Sequence, residues 1–292
     1  MKNSIVILTK FNLRLSSFKN SRLEKIDTAT DDNYLQERFR LFETYTVPSI
    51  KNQTNQNFIW MVFFSDATPK QYKDRIANIQ KEVKQFKPIF LADKEKLNEK
   101  TNQELHKLNS DFYTTIRMDN DDALSINYVS TVVNLINSTP PLEKTVFVFN
   151  NGCQYDEKHQ ILSKYHFPKN HFSTMISKKE PTIDVITNYN HIEIANFIDN
   201  LIESENKDPL WLEVVHDTNV SNRTHMKRKD IVYNKAAFSI FGISRKNTSG
   251  KTKTIAYLIF QKPLNLIRIS TQYNPKMILS KVKQKARKSW KR

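Results

Sequence analysis

Apolar runs with strand character alternate with helix-like stretches along the first 140 residues. Residues 4–9 (SIVILT) form a continuous apolar run, as expected of a buried parallel strand. Similar runs cover residues 57–64, 88–92 and 112–116. Helical spacing of apolar residues predicts a helix at about 32–53, and Pro69 suits the first turn of a helix at about 69–86. A Lys/Glu-rich helix is predicted before residue 112, and a further helix at about 125–136. This alternation predicts an α/β fold, a doubly wound arrangement with a mainly parallel sheet.

The pattern changes after Pro140-Pro141. Strands are predicted at 145–150 and 210–215, and residues 192–203 have the spacing of an amphipathic helix. The inward face of that helix would consist of Ile194, Phe197, Ile198 and Leu201. Because no linker separates the parts, we expect one globule over 1–274 with halves 1–140 and 141–274, followed by a tail at 275–292.

Composition limits the possible chemistry. The chain has 292 residues, 38% of them hydrophobic and 26% charged, which is typical of a globular protein. Only three glycines occur, so a glycine-rich phosphate-binding loop is excluded. The single Cys153 cannot form an intramolecular disulfide, which fits a reducing compartment. No apolar run is long enough for a signal peptide or a membrane span, so we expect a soluble or peripheral protein of the cytoplasm.

The net charge of +16 is unevenly distributed. The tail at 275–292 carries eight basic residues and no acidic one. Its apolar residues recur every four positions with lysines between them, which predicts a basic amphipathic helix on an anionic membrane surface. These apolar residues are Ile278, Val282, Ala286 and Trp290. The alternative interpretation is a solvated chain terminus.

Three carboxylates follow the strand-like run 112–116. Asp119, Asp121 and Asp122 lie within four residues, and Arg117 precedes them. Carboxylates this close repel one another, and a divalent cation such as Mg²⁺ or Mn²⁺ would relieve that repulsion while leaving positions for substrate phosphates. The alternative is an acidic turn that caps the helix beginning near Ser125.

Further polar residues follow other predicted strands. His216 follows the strand 210–215 and is either a structural histidine or a further metal ligand. Asp66 stands at the carboxyl end of the second strand, where α/β sheets bind ligands, or caps the next helix. The basic group Arg223, Lys227, Arg228 and Lys229 is either a solvated face or a partner for pyrophosphate.

Several blocks of the sequence carry a resemblance. Residues 46–54 (TVPSIKNQT) and the strand ending in 65–68 (SDAT) resemble the opening of GT-A glycosyltransferases, and 119–121 (DND) matches their Asp-x-Asp motif. Residues 38–45 (RFRLFETY), 117–123 (RMDNDDA) and 211–223 (WLEVVHDTNVSNR) resemble the bacterial family described as putative rhamnosyltransferases. The resemblance spans roughly residues 4–225 and leaves the tail outside.

The resemblance implies a GT-A-like fold with a nucleotide-binding half (1–140) and an acceptor half (141–274). It implies a nucleotide-sugar donor whose diphosphate is held by Mn²⁺ or Mg²⁺, and the family name suggests rhamnose. The implied metal ligands are Asp119, Asp121 and His216. The implied donor-nucleotide contacts are Thr9, Asp66, Arg117, Asp119 and Arg223. Asp184 and Glu193 are candidates for the catalytic base, although neither lies in a characteristic motif.

The leading hypothesis is therefore a metal-dependent glycosyltransferase of bacterial surface-polysaccharide assembly, such as capsule or lipopolysaccharide. It would act at the cytoplasmic membrane face on a glycan or lipid-linked acceptor, with the tail as a contact to the anionic surface. A metal-dependent phosphoryl transferase or nuclease could use the same carboxylates. A basic nucleic-acid-binding protein would explain the charge alone. Because the excess charge is concentrated in the tail and not interleaved with aromatic residues, we expect no nucleic-acid partner.

Overall fold

The computed structural model describes residues 2–14, 26–92, 97–138, 144–217, 224–244 and 248–261. The strands in chain order are β1 (Asn3–Lys10), β2 (Ile59–Ser65), β3 (Phe86–Leu91), β4 (Phe112–Arg117), β5 (Ala123–Leu124), β6 (Thr145–Phe149), β7 (Asn151–Asp156), β8 (Ile161–His166), β9 (Thr174–Lys178), β10 (Asn200–Ser204), β11 (Trp211–Val215) and β12 (Ile231–Val232). The α-helices are α1 (Asp32–Leu41), α2 (Val47–Lys51), α3 (Lys70–Glu82), α4 (Leu97–His106), α5 (Tyr128–Ser138) and α6 (Lys251–Ala256).

Seven strands form a central sheet in the order β10-β6-β9-β4-β1-β2-β3. The pairs β4/β1, β1/β2, β2/β3 and β10/β6 are parallel, and only β9 runs antiparallel to its neighbours β4 and β6. The apolar side chains of β1 and, apart from the partly buried Ile59, those of β2 are buried, which explains their continuous apolar sequences. The predicted α/β fold with a mainly parallel sheet is confirmed.

One long helical segment packs on the first part of this sheet. The Asp31 carboxylate caps α1 by accepting the backbone N–H of Tyr34 at 2.8 Å. The helix continues through a π-helical turn at Phe42–Thr46 into α2, in which Pro48 lies in the first turn. Phe39 and Phe42 are fully buried against Phe11. The predicted helix start and apolar face are therefore confirmed.

A second sheet has the order β12-β8-β7-β11-β5. Its strand β11 is parallel to β7 and antiparallel to β5, the short strand that directly follows the aspartate run. The 3₁₀ segment Lys235–Phe241 contributes Phe238 and Phe241 to the core beneath this sheet. The second sheet therefore lies directly beside the carboxylates, and β11 connects them to β7 and β8.

The predicted amphipathic helix at 192–203 is wrong. The chain forms one 3₁₀ turn at Ile194–Asn196 and then enters β10, which pairs with β6 in parallel register. Ile194 and Ile198 are buried as predicted, but Phe197 is 63% exposed. The unpaired edge of β6 supplies backbone hydrogen bonds to this segment, and such tertiary pairing outweighs a local helical periodicity.

The two predicted halves share the central sheet, because β6, β9 and β10 follow residue 140 and β1 to β4 precede it. The functional division into nucleotide-binding and acceptor halves stays a prediction. The tail at 275–292 lies outside the described residues. Within the part of the chain that the structure describes, no helix has the length and apolar character needed to cross a membrane.

Candidate active site

The aspartate run lies at the carboxyl ends of β1 and β4. The Met118 N–H donates to the carbonyl of Leu8 at 3.2 Å, which extends the parallel pairing of these strands. The buried Asn120 amide then donates to the carbonyls of Lys10 at 3.0 Å and Phe11 at 2.8 Å. These bonds fix the loop 118–122 to the end of β1. Ligands of parallel α/β sheets bind at this edge.

Asp119, Asp122 and His171 form one group of ligand-type side chains. The His171 Nε2 atom lies 2.7 Å from Asp122 Oδ2 and 4.0 Å from Asp119 Oδ2. One ligand atom from each of the three residues lies within 4.8 Å of the others. The Asp119 side chain is 45% exposed, whereas Asp122 and His171 are buried. The group therefore faces solvent on the side of Asp119.

Asp121 belongs to a second group. Its Oδ2 atom accepts a hydrogen bond from Arg38 Nη1 at 3.0 Å and lies 2.8 Å from His216 Nε2. All three side chains are almost fully buried. Adjacent aspartates thus face different partners, because Arg38 comes from α1 and His216 from the end of β11.

The charges of these groups depend on one another. Burial, and then the carboxylate of Asp121, raises the pKa of Asp122. Burial alone would lower the pKa of His171, but Asp119 and the hydrogen bond to Asp122 raise it to about 9. Burial would raise the pKa of Asp121, yet Arg38 and His216 hold it well below its usual range. Partial burial opposes ionisation of Asp119, and Arg117 and His171 still lower its pKa.

A third histidine borders the first group. The His191 ring lies edge-on to the His171 ring, with centroids 5.7 Å apart. Burial, and then the positive charges of His171 and Arg117, lowers the pKa of His191 to about 4. Burial and neighbouring positive charge thus favour a neutral His191, whereas the carboxylates of Asp119 and Asp122 favour a protonated His171.

The capping interpretation of the aspartates is wrong. Helix α5 begins at Tyr128, after a turn in which the Asn127 N–H donates to Ser125 Oγ at 3.3 Å. Asp122 instead accepts the backbone N–H of Val214 in β11 at 2.8 Å. The carboxylates are thus committed to contacts between elements rather than to the helix that follows them.

The structure brings His216 beside Asp121 across 95 residues of chain, and its implied role as a metal ligand stays a prediction. Arg117 also lies at the site, with its Nε atom 3.5 Å from Asp119 Oδ1. Sequence reasoning missed His171 as a neighbour of the aspartates. The resemblance at residues 38–45 includes Arg38 but assigns it no role at the site. The two residues lie 49 and 83 positions from their aspartate partners, so no local pattern relates them.

The other residues predicted to contact the donor nucleotide are Asp66, Thr9 and Arg223, and their positions differ from one another. Asp66 is exposed at the end of β2, and helix α3 has no side-chain cap, so the capping interpretation of Asp66 is not supported. Thr9 is fully buried, and its hydroxyl accepts a hydrogen bond from the Trp60 indole N–H at 3.0 Å. The structure therefore places the Thr9 side chain inside the core and not at the ligand edge. Arg223 lies outside the described residues.

Neither base candidate is brought to the aspartates by a described contact. Asp184 accepts hydrogen bonds from the Tyr189 hydroxyl and the Asn188 amide, and it lies 3.7 Å from Lys144 Nζ. Lys144 precedes the first residue of β6, at the sheet edge opposite the carboxyl ends. Glu193 is exposed just before the 3₁₀ turn at Ile194–Asn196.

Glu213 is an acidic residue near the site that sequence reasoning did not single out. It lies on β11, and its Oε2 atom accepts a hydrogen bond from the Gln154 amide at 2.8 Å. Burial raises the pKa of Glu213, His171 lowers it, and Asp121 raises it further. Two of the groups that act on the Glu213 carboxylate, His171 and Asp121, are thus residues of the site.

Two buried polar atoms at the site lack partners. Within the described residues, Arg38 Nε and Asn120 Oδ1 form no hydrogen bond. Buried polar groups are normally paired, so a donor and an acceptor remain available for a ligand or water. Two carboxylates and one imidazole are also suitable ligands for Mn²⁺, and the carboxylate oxygens are suitable ligands for Mg²⁺. The residues present thus fit a divalent cation and an anionic ligand.

The comparison with family models shows a glycosyltransferase relationship in sequence. The model of the family described as "Putative rhamnosyl transferase" matches residues 4–228. None of the curated proteins matches the chain. Among solved structures, S. aureus TarS 1-349 is 10% identical with a TM-score of 0.42, covering 73% of this chain and 60% of TarS 1-349. Its complex with UDP-GlcNAc is 10% identical with a TM-score of 0.41, covering 82% and 64%.

HddC from Yersinia pseudotuberculosis, complexed with GMP-PN, is 11% identical with a TM-score of 0.31 and covers 74% of this chain and 90% of its own. The chain spans less than two thirds of the length of the TarS structures that it matches.

Proposed function

The chain belongs to the family described as putative rhamnosyl transferases, and we propose that it transfers a sugar from a nucleotide-sugar donor to a glycan or lipid-linked acceptor. The observation that carries this proposal is the group Asp119, Asp122 and His171 at the carboxyl edge of the sheet, in which Asp119 is half-exposed. Its chemistry suits a divalent cation, and the neighbouring Arg117 and Arg38 suit the phosphates of a donor.

A bound Mn²⁺ or Mg²⁺ would supply Lewis-acid stabilisation of the departing nucleoside diphosphate. We assign the cation to Asp119, Asp122 and His171, because these three side chains converge. In this assignment Arg38 and His216 hold Asp121 in place and neutralise its charge, so that the loop 118–122 keeps its shape. His171 must lose its proton to bind the cation, so binding releases a proton.

The set expected from the resemblance, Asp119, Asp121 and His216, is the second candidate for the cation. The direct contact between Asp121 and His216 favours it. Against it stands Arg38, because a guanidinium bonded to the same carboxylate oxygen competes with a metal ion for that oxygen. The two sets differ in their histidine, so they can be separated by experiment.

For the acceptor side, Glu213 is the proposed base. A general base is most effective when its pKa approaches the working pH, and burial raises the pKa of Glu213 in that direction. Its hydrogen bond from Gln154 fixes the carboxylate on β11. Glu213 would take the proton from the attacking hydroxyl of the acceptor. Asp184 and Glu193 are the rival candidates.

The sugar is proposed from the family description, and the acceptor and the cellular setting are proposed from the sequence, including the basic tail. Rhamnose is the proposed donor sugar, and a bacterial surface polysaccharide or its lipid-linked precursor is the proposed acceptor. Arg117, Asp119, Asp66 and Arg223 are the proposed contacts of the donor nucleotide. The tail at 275–292 is the proposed contact to an anionic membrane surface.

Calorimetric titration with UDP, GDP or dTDP in the presence and absence of MnCl₂ tests the proposal. Asp119→Asn should lower the Mn²⁺-dependent affinity by about tenfold or more, as loss of a metal contact does. Asp74→Asn is the matched control, because Asp74 is exposed on α3 and pairs with Lys70. If none of the diphosphates binds in a Mn²⁺-dependent manner, the proposal is wrong.

Product analysis separates the rival enzyme classes. Incubation with nucleotide sugars should release a nucleoside diphosphate and a sugar, with dTDP-rhamnose in the panel. Release of inorganic phosphate, or cleavage of an oligonucleotide, would instead indicate a phosphoryl transferase or a nuclease.

A further inference from the structure

A second concave site lies on the sheet that contains β7 and β8. The cleft has a volume of about 630 Å³ and is separate from the aspartate groups. Its lining comes from β7, β8, the segment before β11 and the segment around β12. The charged and histidine side chains that line it are Lys164, His166, Lys207, His225, Lys227, Lys229 and Asp230.

The lining is strongly basic. It contains four lysines, and one aspartate is its only carboxylate. His166 is paired with Glu205 at 3.1 Å. Among the described residues, the lysines form no ion pair, in contrast to Lys87, Lys100 and Lys107, which share Glu104. Like charges gathered around a concave surface raise its potential and attract anions.

An aromatic surface forms part of the same cleft. The Tyr165 ring is parallel to the His225 ring within 4°, with centroids 5.7 Å apart, and it also stacks on Phe167 at 5.5 Å. Gly152 is needed beneath it, because a Cβ atom there would lie 2.1 Å from the Trp211 ring. Tyr165 is half-buried, but His225 is exposed, so the stack presents a planar ring against which a sugar ring can pack.

The position of the cleft matches that of an acceptor. Ala123, Leu212, Cys153 and Lys164 lie side by side on β5, β11, β7 and β8. Three strand spacings of about 4.8 Å separate β5 from β8, or roughly 14 Å. Asp122 immediately precedes β5, and Glu213 lies on β11 between the two sites. The cleft and the aspartates are therefore held roughly 14 Å apart by one sheet.

We propose that this cleft binds an anionic glycan, one that carries carboxylate or phosphate groups, as the acceptor of the transfer reaction. The role as acceptor rests on the proposed function, whereas the anionic and saccharide character of the ligand follows from the lysines and the aromatic surface. A single compact cleft differs from the extended basic track with repeated stacking positions that a nucleic acid requires.

Binding assays with the full chain test this inference. The probes are hexagalacturonate, which carries carboxylates, maltohexaose phosphorylated at its primary hydroxyls, neutral maltohexaose and a dodecamer of thymidylate. The test variant is Lys164→Gln/Lys207→Gln, which removes two exposed lysines of the cleft. The control is Lys81→Gln/Lys84→Gln, which removes the same charge from two exposed lysines at the end of α3 and just beyond it.

At least one of the two anionic glycans should bind, about tenfold more tightly than neutral maltohexaose, and whichever binds identifies the anionic group. The test variant should weaken that binding by about tenfold, since two exposed charge contacts together contribute about that factor. The control should leave it unchanged. Equal losses in both variants, binding of neither anionic glycan, or equal binding of maltohexaose would overturn the inference. Tighter cleft-dependent binding of the thymidylate probe would also overturn it.

Titration of the same proteins with nucleoside diphosphate and Mn²⁺ separates this inference from the proposed function. The test variant should retain the affinity of the unmodified protein. A protein that binds the diphosphate but neither anionic glycan overturns the cleft assignment alone. A protein that binds an anionic glycan through the cleft but no diphosphate confirms the glycan site and refutes the transferase function.

Discussion

Three aspartates within four residues have three different environments. Asp119 is half-exposed beside Arg117, Asp121 is bonded to Arg38 and His216, and Asp122 is bonded to His171 and the Val214 backbone. The side-chain direction of each residue, not its type, decides these partners. The motif therefore combines one half-exposed carboxylate with two buried ones.

Replacement of the two histidines distinguishes the candidate metal sets. His171→Ala should weaken Mn²⁺ binding by about 10–100-fold, because it removes one of the three proposed ligands, Asp119, Asp122 and His171. His216→Ala should have a smaller effect on Mn²⁺ and should lower the stability by about 1–3 kcal/mol, since Asp121 loses a buried partner. Calorimetry with Mn²⁺ and urea unfolding measure both quantities. The opposite ranking of Mn²⁺ affinities would assign the cation to Asp121 and His216.

Glu213 can be tested in the same proteins. Glu213→Gln should lower kcat by about 100-fold or more and leave the Mn²⁺-dependent affinity for nucleoside diphosphate unchanged, as expected for a group that acts only on the acceptor proton. Asp184→Asn and Glu193→Gln serve as comparisons in the same assay. If one of these reduces turnover while Glu213→Gln does not, the base is that residue.

At the scale of elements, β11 does most to assemble the site. Its residues supply the backbone N–H of Val214 to Asp122, the carboxylate of Glu213 and, at its end, His216. It pairs with β5 on one side and β7 on the other, so the aspartates and the basic cleft are attached to one rigid strand. Short antiparallel pairing at β5 is thus enough to fix the distance between the two sites.

Helix α4 provides a test of electrostatic stability away from the site. The Glu104 side chain is only 6% exposed and forms ion pairs with Lys87, Lys100 and Lys107. Burial would raise its pKa, but the three lysines hold the pKa at about 2. Because the folded pKa lies below the unfolded value of 4.5, this stabilisation is present above pH 4.5 and is lost as the pH falls towards 2.

Glu104→Gln should therefore lower the free energy of unfolding by about 2 kcal/mol at pH 7, and the difference from the unmodified protein should shrink as the pH falls towards 3. Urea unfolding at a series of pH values measures it. Glu82→Gln is the control, because Glu82 is exposed and has one partner, Lys51. A difference that stays constant with pH would contradict the ion-pair explanation.

At the scale of the whole molecule, charge is arranged in separate regions. The carboxyl edge of the central sheet carries the aspartates, the second sheet carries the basic cleft, and the sequence beyond residue 274 carries eight further basic residues. In the proposed function, the donor would meet the aspartates, and the acceptor and a membrane surface would meet two separate basic regions.

Removal of the tail tests the last of these contacts. Truncation before Pro275 should abolish co-sedimentation with anionic vesicles, because each Lys or Arg near such a surface contributes about 1 kcal/mol. Donor hydrolysis should stay intact, and neutral vesicles serve as the control. Retained vesicle binding, or loss of hydrolysis in a folded protein, would assign the tail to the catalytic globule.

The sequence by itself determined the strands β1 to β4, the helix α1 and the placement of the aspartates after β4, because buried parallel strands and amphipathic helices have distinct local patterns. Tertiary structure decided the secondary structure where a local pattern competed with strand pairing. At β10, the segment predicted as a helix instead forms a strand, because it pairs with the edge of β6. It also decided which partner each aspartate meets. Arg38, His171 and His216 lie 83, 49 and 95 residues from their aspartates, and only the folded sheets bring them together.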